Sequence, residues 1–309
     1  MRALVTGANG FVGGHLTDFL LKKGLDVIGV DRKVLKEKEY QQFCVDINDT
    51  NKLKNLIAKL QPEYIYHLAA PAFIPDSFSN PKGTFETIIL GTVNILEIMR
   101  EVSPHSKLLY IGSSDEYGIN MGNVIFKEDM LPMPYTPYAA AKLSASLICQ
   151  QYAKMYDINV VRTRSFNHCG PGQSERFVSS SIAKQIALLE KTDGREMNLG
   201  DISTSRDFLD VRDVVEAYYL IMNATDNAGE LYNVCSGKPT AIKDILEIYL
   251  SETTLSKNDI VVNTSKGSRK FDSPITVGDN SKIKELGWSQ KYKLQDTFVE
   301  TLNYWRKHV

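Results

Sequence analysis

Few cysteines and no metal-binding pattern are the first features of this 309-residue sequence. Its four cysteines, Cys44, Cys149, Cys169 and Cys235, include no C-x-x-C pair, and its five histidines lack the spacing of metal ligands. We therefore predict reduced thiols, no structural zinc and no other metal site, and we expect a cytoplasmic location.

Long apolar runs and an excess of one charge are also missing. No apolar run approaches the length of a membrane span, and the first ten residues have the pattern of a strand and turn rather than a signal peptide. Lys and Arg number 36 against 37 Asp and Glu, so the formal net charge is -1. Such a balance offers no broad basic field, and we expect no nucleic-acid partner and no membrane partner.

Three glycines follow the first apolar segment in the stretch TGANGFVGG. A helical pattern comes next, and a second strand predicted over residues 26–30 ends at Asp31. Glycines let the backbone approach a pyrophosphate, and the free N–H groups at the start of the helix attract its charge. This strand-turn-helix predicts a dinucleotide site, with contacts at Gly7, Gly10, Phe11, Val12 and Gly13.

Asp31 and Arg32 bear on which dinucleotide is bound. A carboxylate at position 31 can accept hydrogen bonds from the adenosine ribose hydroxyls and would repel a 2'-phosphate, which favours NAD(H). The Arg32 guanidinium could instead pair with that phosphate, so NADP(H) stays open.

The pattern of strands and helices continues beyond this motif. Apolar strands predicted over 42–45, 64–68 and 108–111 alternate with helices predicted over 51–60 and 84–100. This alternation predicts an α/β fold with a doubly wound parallel sheet, the Rossmann fold. After about residue 165 the pattern is less regular, with a helix predicted over 180–189 and a polar stretch over 251–268. We assign 1–165 to a dinucleotide-binding domain that carries the catalytic residues. We assign 166–309 mainly to a smaller C-terminal substrate-binding lobe, some of whose segments return to the first domain.

A catalytic group is predicted where the chain reaches its one Y-x-x-x-K pattern, Tyr138 and Lys142. Four residues apart on a helix, the two side chains share a face, and the lysine cation would favour the tyrosine phenolate. Ser113, at the end of the preceding strand, could fix a substrate oxygen while a nicotinamide exchanges hydride with the carbon that bears it. An ordinary surface pair is the alternative.

The stretch SSDEYG continues the strand that leads to Ser113. If strand alternation persists, Ser113 and Asp115 share one face, while Ser114 and Glu116 point the other way. Asp115 could then be a catalytic base, a hydrogen-bond partner for a ligand or a turn-forming residue.

Two arginines are candidates for a substrate pyrophosphate, Arg206 and Arg269, since a guanidinium can meet two phosphate oxygens at once. For Arg206 the alternative is an ion pair with a neighbouring carboxylate of RDFLDVRD, at Asp207, Asp210 or Asp213. Further candidates for the substrate pocket are Ser114, Asn167, Phe177 and Val178.

Six stretches together give the sequence a family resemblance: TGANGFVG, HLAA, SSDEYG, YAAAK, FNHCGPGQS and RDFLDVRD. They resemble the extended short-chain dehydrogenase/reductase family of the epimerase/dehydratase type, whose members act on nucleotide sugars. The resemblance implies Ser113, Tyr138 and Lys142 as the catalytic group. It also implies cofactor contacts at Asp46, Ile47, Leu68, Ala69 and Ala70.

Two positions depart from the family pattern. An asparagine is common where this chain has Ile88, so a polar contact near the cofactor is either missing or supplied by another residue. Dehydratases of the family usually have a glutamate where this chain has Asp115, one methylene shorter, so we expect Asp115 to orient the sugar rather than drive elimination.

The resemblance implies a reductase that uses NAD(P)H on a 4-keto-6-deoxy nucleotide sugar. The favoured reaction converts GDP-4-keto-6-deoxy-D-mannose to GDP-D-rhamnose. The alternatives are a nucleotide-sugar 4-epimerase or 4,6-dehydratase with tightly bound NAD, and a dinucleotide sensor without catalysis. We also expect a homodimer that pairs through the helix predicted over 84–100 and the Tyr138 helix.

Overall fold

The structure is a computed structural model that describes residues 1–35, 38–122, 124–192, 194–255, 260–264 and 273–309. Its strands in chain order are β1 (Arg2–Thr6), β2 (Asp26–Asp31), β3 (Gln41–Cys44), β4 (Tyr64–His67), β5 (Lys107–Ser113), β6 (Ile125–Phe126), β7 (Val160–Ser165), β8 (Asn167–Cys169), β9 (Glu196–Leu199), β10 (Ser205–Asp210), β11 (Leu231–Val234), β12 (Pro239–Ala241), β13 (Val261–Thr264) and β14 (Ile275–Gly278).

The helices alternate with these strands in the first half of the chain and cluster in the second. They are α1 (Phe11–Lys22), α2 (Thr50–Leu60), α3 (Ile74–Ser79), α4 (Pro81–Phe85), α5 (Gly91–Val102), α6 (Pro137–Tyr156), α7 (Val178–Leu189), α8 (Val211–Asn223), α9 (Ile242–Ser251), α10 (Ser281–Glu285) and α11 (Leu294–His308). None of these helices is long and apolar enough to cross a membrane.

Seven strands form one sheet in the order β11-β7-β5-β4-β1-β2-β3, and each neighbouring pair is parallel. One apolar core, containing residues of α1 and α8, covers one face, and a second, containing residues of α2, α5 and α6, covers the other. Because both faces are covered, the central strands are apolar almost throughout, as in the fully buried Ala3, Leu4 and Val5. The predicted doubly wound parallel sheet is confirmed.

The helix predicted over 84–100 differs from the structure. The helical stretch runs from Pro81 to Val102, and a π-helical turn at Glu86–Leu90 separates α4 from α5. Such a turn adds a residue that the 3.6-residue pattern of apolar positions does not reveal. Ile88 lies in this turn with its side chain buried.

The remaining strands and helices belong mainly to the second half. β12, β10, β14 and β6 form a second sheet with β8 beside β10, and β13 pairs with β9. A separate apolar core contains residues of α7, α9 and α11. β11 and α8 instead join the first sheet and its core. The division of the chain near residue 165 stays a prediction.

Candidate active site

A glycine turn joins β1 to α1 with almost no free space. Gly7 has φ of +70°, and a Cβ there would lie 3.0 Å from the backbone N of Ala69. A Cβ on Gly13 would lie 2.1 Å from the carbonyl oxygen of Gly7. Larger residues at either position would push the turn away from the strand ends.

The start of α1 fits a phosphate group. Gly10 caps the helix with no side-chain hydrogen bond, and the first turn, which contains Phe11, Val12 and Gly13, has no acidic residue. The N–H groups of this turn are therefore left to an anion, and the helix dipole favours negative charge at the same place. These residues fit the pyrophosphate of a dinucleotide.

Asp31 ends β2 beside this turn. Its carboxylate accepts hydrogen bonds from the backbone N–H groups of Asn9, at 3.1 Å, and Arg32, at 2.7 Å. The Arg32 side chain is exposed. Asp31 is thus held at the edge of the turn, where a ribose would lie if the pyrophosphate meets α1.

The other predicted cofactor contacts differ in exposure. Leu68, Ala69 and Ala70 follow β4 and are half-buried, and the N–H of Ala69 donates to Thr6 Oγ1 at 3.2 Å. Asp46 is exposed, whereas Ile47 is buried. A Cβ added to Gly91 of α5 would lie 2.5 Å from Ile47 Cδ1, so this loop packs directly on α5.

α6 carries Tyr138 and Lys142 on one face, as predicted. The helix starts at Pro137 because the Thr136 hydroxyl accepts the N–H of Ala139 at 3.0 Å. Lys142 is buried, its Nζ donates to the carbonyl of Ile111 at 2.7 Å and lies 5.9 Å from the centre of the Tyr138 ring. The Ser113 hydroxyl lies close enough to the Tyr138 phenol to influence its pKa. The three predicted catalytic residues are thus brought together.

Burial sets the protonation of this group. Burial, and then the Asp115 carboxylate, raise the pKa of Tyr138 above its ordinary value, while the neighbouring Ser113 hydroxyl opposes them. Burial lowers the pKa of Lys142 to about 8. Burial thus dominates the pKa of Tyr138 in this structure, and the stabilisation of its phenolate by Lys142 stays a prediction. Tyr138 is a protonated phenol at neutral pH and can donate a proton.

The expectation that side chains continue to alternate as in a strand beyond Ser113 is wrong. β5 ends at Ser113, and Ser114–Tyr117 form a 3-10 turn. Ser113 Oγ donates to Asp115 Oδ2 at 3.0 Å and accepts the Asp115 N–H at 3.2 Å, so Asp115 forms the turn and holds the serine. Ser114 is buried. The reason is local. The Ser113 hydroxyl can accept a backbone N–H of the next residues, and this cap stabilises a turn in place of a continued strand.

The other predicted substrate residues lie in the second half of the chain. Asn167 is exposed on β8, Phe177 and Val178 are half-buried at the start of α7, and Phe177 packs edge-on against Phe73 at 5.9 Å. Arg206 is half-buried on β10. Arg269 lies outside the described residues.

The Arg206 guanidinium donates through Nη1 to the carbonyls of Ser205 and Ser273, both at 2.8 Å. The carboxylates proposed as its ion-pair partners have other contacts. Asp207 accepts from Ser236 and Gly237, Asp210 pairs with Arg212, and Asp213 accepts the N–H groups of Lys291 and Tyr292. These contacts of Asp207, Asp210 and Asp213 are with groups other than Arg206.

Among the residues that the structure describes, no group of three or more His, Cys, Asp or Glu side chains could hold a metal ion. All four cysteines are free thiols.

Comparisons with known proteins match this chain over nearly its full length. The family model described as GDP-mannose 4,6 dehydratase matches residues 4–301. The chain belongs to this family. It is 31% identical to the GDP-6-deoxy-D-mannose reductase of Pseudomonas aeruginosa, with 100% of this chain and 98% of that relative covered.

Two solved structures show the same fold. RMD from Pseudomonas aeruginosa, complexed with NADPH, has a TM-score of 0.85 and 30% identity, covering 100% of this chain and 99% of that one. The UDP-glucose 4-epimerase of Thermotoga maritima, with UDP-glucose, has a TM-score of 0.89 and 29% identity, with the same coverage. Proteins of different reaction type thus share the fold of this chain.

His67 is a buried residue near the candidate site. The sequence analysis gave it no role. Its ring bonds to the Thr6 hydroxyl at 2.8 Å and the Thr92 hydroxyl at 3.2 Å, and Thr92 donates to the carbonyl of Ile88 at 2.6 Å. The Thr92 hydroxyl donates its one proton to the Ile88 carbonyl, so it accepts the hydrogen bond from His67 Nε2–H. His67 Nδ1 therefore carries no proton and accepts from the Thr6 hydroxyl. Burial lowers the pKa of His67 to about 3, so the ring stays neutral. Polar groups therefore reach the turn around Ile88 from β4 and α5.

Glu116 and Arg164 are a second missed pair. Arg164 Nε donates to Glu116 Oε2 at 2.9 Å, and both side chains are almost fully buried. The sequence contained one signal, an acid three residues after Ser113, but its partner lies 48 residues away.

Proposed function

We propose that this protein is a reductase of a 4-keto-6-deoxy nucleotide sugar, with GDP-4-keto-6-deoxy-D-mannose as the favoured substrate and GDP-D-rhamnose as the product. The full-length similarity to a GDP-6-deoxy-D-mannose reductase supports the substrate class. The observation that carries the reaction type is the hydrogen bond from Ser113 Oγ to Asp115 Oδ2 at 3.0 Å.

That hydrogen bond bears on the dehydratase alternative. Elimination needs a carboxylate that reaches the C5 proton and the C6 hydroxyl of the sugar. Asp115 is one methylene shorter than the glutamate usual in dehydratases, and its carboxylate is held back on the serine of its own turn. A displacement of about 1 Å can cost on the order of 100-fold in rate. Asp115 therefore serves to position Ser113 and the sugar hydroxyls.

The residues of this chain divide the reduction between them. The nicotinamide supplies the hydride when it is bound. Ser113 meets the ketone oxygen, and Tyr138 donates its phenol proton to that oxygen as the alcohol forms. Lys142, charged below its pKa of about 8, lies on the same helix face and stabilises the phenolate that remains.

We propose NAD(H) as the favoured cofactor, with NADP(H) as the alternative. Asp31 stands where it can accept the ribose hydroxyls, and its negative charge disfavours a 2'-phosphate. Arg32 is exposed beside it and could pair with the 2'-phosphate of NADP(H). The NADPH complex of RMD also supports NADP(H) as the alternative.

The test is an assay of net reduction. The purified protein is given NADH or NADPH with a GDP-linked 4-keto-6-deoxyhexose, and cofactor oxidation and product are measured. We expect one cofactor oxidised per sugar. Conversion of intact GDP-mannose to the 4-keto sugar without net cofactor use would indicate a dehydratase. C4 inversion of an intact nucleotide sugar would indicate an epimerase, and binding without turnover would revive the sensor.

We also propose a homodimer, formed through the stretch from α4 to α5 together with α6. Phe85, Leu90 and Leu147 on these segments are 39%, 53% and 51% exposed. Apolar side chains on two neighbouring helices are an expected subunit interface. The four free thiols accord with a reducing compartment, and we propose the cytoplasm.

A further inference from the structure

Glu116 is fully buried directly behind the catalytic serine. Its Oε1 accepts the backbone N–H of Ser113 at 2.9 Å, and its Oε2 accepts Nε–H of Arg164 at 2.9 Å. The Ser113 hydroxyl in turn accepts the N–H of Asp115, so serine and glutamate cap the turn reciprocally. The carboxylate thus fixes the backbone from which the serine hydroxyl projects.

The space around this carboxylate depends on Gly112. A Cβ at Gly112 would lie 2.4 Å from Glu116 Oε1 and 2.2 Å from the carbonyl oxygen of Thr163. Gly112 of β5 and Arg164 of β7 are register partners. The carboxylate therefore lies against backbone on one side and a guanidinium on the other, which leaves it little freedom to move.

The Arg164 guanidinium is itself held from a second direction. It lies 4.3 Å from the centre of the Tyr117 ring, and the Tyr117 hydroxyl donates to Asn233 Oδ1 at 2.7 Å. Asn233 belongs to β11, the edge strand of the main sheet. The end of β5 is thus tied through Glu116 and Arg164 to both β7 and β11.

The same carboxylate brings negative charge to the catalytic lysine. The titratable groups that face or influence Lys142 are Tyr110 of β5, His67 of β4, Glu116, and Tyr138 and Cys149 of its own helix. His67 is neutral, and burial raises the pKa of the Tyr110 and Cys149 side chains. Glu116 is the carboxylic acid in this set. Burial raises its pKa, while the Arg164 guanidinium and the Ser113 N–H, each at 2.9 Å, oppose that shift and favour the carboxylate.

We propose that Glu116 is a positioning residue for the reduction, acting through Ser113 by a hydrogen bond and through Lys142 by its charge. The inference rests on the function proposed above. It assigns the two effects to one side chain, and the two can be separated: Glu116→Gln removes the charge and keeps the shape, whereas Glu116→Asp keeps the charge and withdraws it from Ser113.

A titration tests the charge without any substrate. Burial lowers the pKa of both Lys142 and Lys107, and each lies at about 8. Glu116 opposes the shift at Lys142 and has no part in that at Lys107. NMR of isotope-labelled lysine, assigned with Lys142→Arg and Lys107→Arg, follows both. In Glu116→Gln we expect the pKa of Lys142 to fall by about one pH unit and that of Lys107 to stay. This outcome does not depend on the sugar reduced.

Kinetics test the consequence for catalysis. Loss of the negative charge lowers the pKa of both Lys142 and Tyr138, so the fall of kcat at high pH should move to lower pH in Glu116→Gln. In Glu116→Asp kcat should fall by about 10-fold or more with little change in KM, because Ser113 is displaced. Glu190→Gln, which breaks the Glu190–Arg306 pair far from Ser113, should lower stability alone.

An unchanged Lys142 pKa in Glu116→Gln, or normal kcat and pH profile in both variants alongside lower melting temperatures, would overturn the proposal and leave Glu116 a structural residue. If Glu116→Gln does not fold, Glu116→Asp and Arg164→Lys provide the kinetic and titration tests. A wild-type protein that reduces no 4-keto sugar would refute the proposed function, while the lysine titration would still decide the role of Glu116.

Discussion

Replacing Tyr138 by Phe removes one hydroxyl from the centre of the site and tests the proton transfer directly. The structure limits what else is lost. Ser113 keeps its hydrogen bond to Asp115 at 3.0 Å, so the stability should change by about 1 kcal/mol or less. The alcohol oxygen, however, loses its proton donor, for which general-acid catalysis gives at least about 100-fold. That factor corresponds to about 2.7 kcal/mol of barrier.

The assay follows oxidation of the reduced nicotinamide by the 4-keto sugar, with cofactor affinity measured separately. We expect kcat to fall at least about 100-fold while cofactor affinity is retained. Tyr66→Phe is the matched control. Its phenol is fully buried, whereas that of Tyr138 is half-buried, and within the described residues the Tyr66 hydroxyl has no hydrogen-bond partner. That variant should keep full activity with equal or higher stability. An unchanged kcat in Tyr138→Phe would refute the catalytic assignment.

Four further outcomes follow from the same site. Asp31→Ala should lower the ratio of NAD(H) to NADP(H) affinity, and an unaltered ratio in cofactor titrations would remove Asp31 from the ribose. Asp115→Asn should raise KM by about 10-fold yet leave measurable hydride transfer, whereas loss of a rapid dehydration of GDP-mannose in this variant would make Asp115 an elimination base. In the wild type kcat/KM should fall as pH rises through about 8, where Lys142 of the free enzyme loses its charge, and a profile flat to pH 10 would contradict this. Light scattering should show a dimer that Leu90→Glu dissociates, and a wild-type monomer at micromolar concentration would count against the interface.

Local patterns account for what the sequence predicted well. The strand-turn-helix around Gly7 and Gly13 depends on residues that are neighbours in the chain, and so does the pairing of Tyr138 with Lys142 on one helix. Alternating apolar strands and helices fix the parallel sheet because both of its faces must be covered. These features needed no long-range information.

What the sequence could not predict depends on contacts between distant segments or on local competition. The end of β5 reads as continuing strand, but the Ser113 hydroxyl and the Glu116 carboxylate together cap a 3-10 turn instead. The pKa of Tyr138 depends on burial by several elements, which no spacing rule contains. The partner of Glu116 is Arg164, and their pairing follows only once β5 and β7 lie side by side.

The turn after β5 shows how one scaffold can favour reduction over elimination. Its first carboxylate, Asp115, is engaged by the Ser113 hydroxyl, and its second, Glu116, is buried against Arg164. Neither is thus left as a free base at the sugar, although two acids follow the serine in sequence. Reduction needs no free base from this turn, whereas dehydration does, because in reduction the hydride comes from the cofactor and the proton from Tyr138. A site whose acids support the serine and the lysine is therefore suited to protonating a ketone oxygen rather than to abstracting a carbon-bound proton.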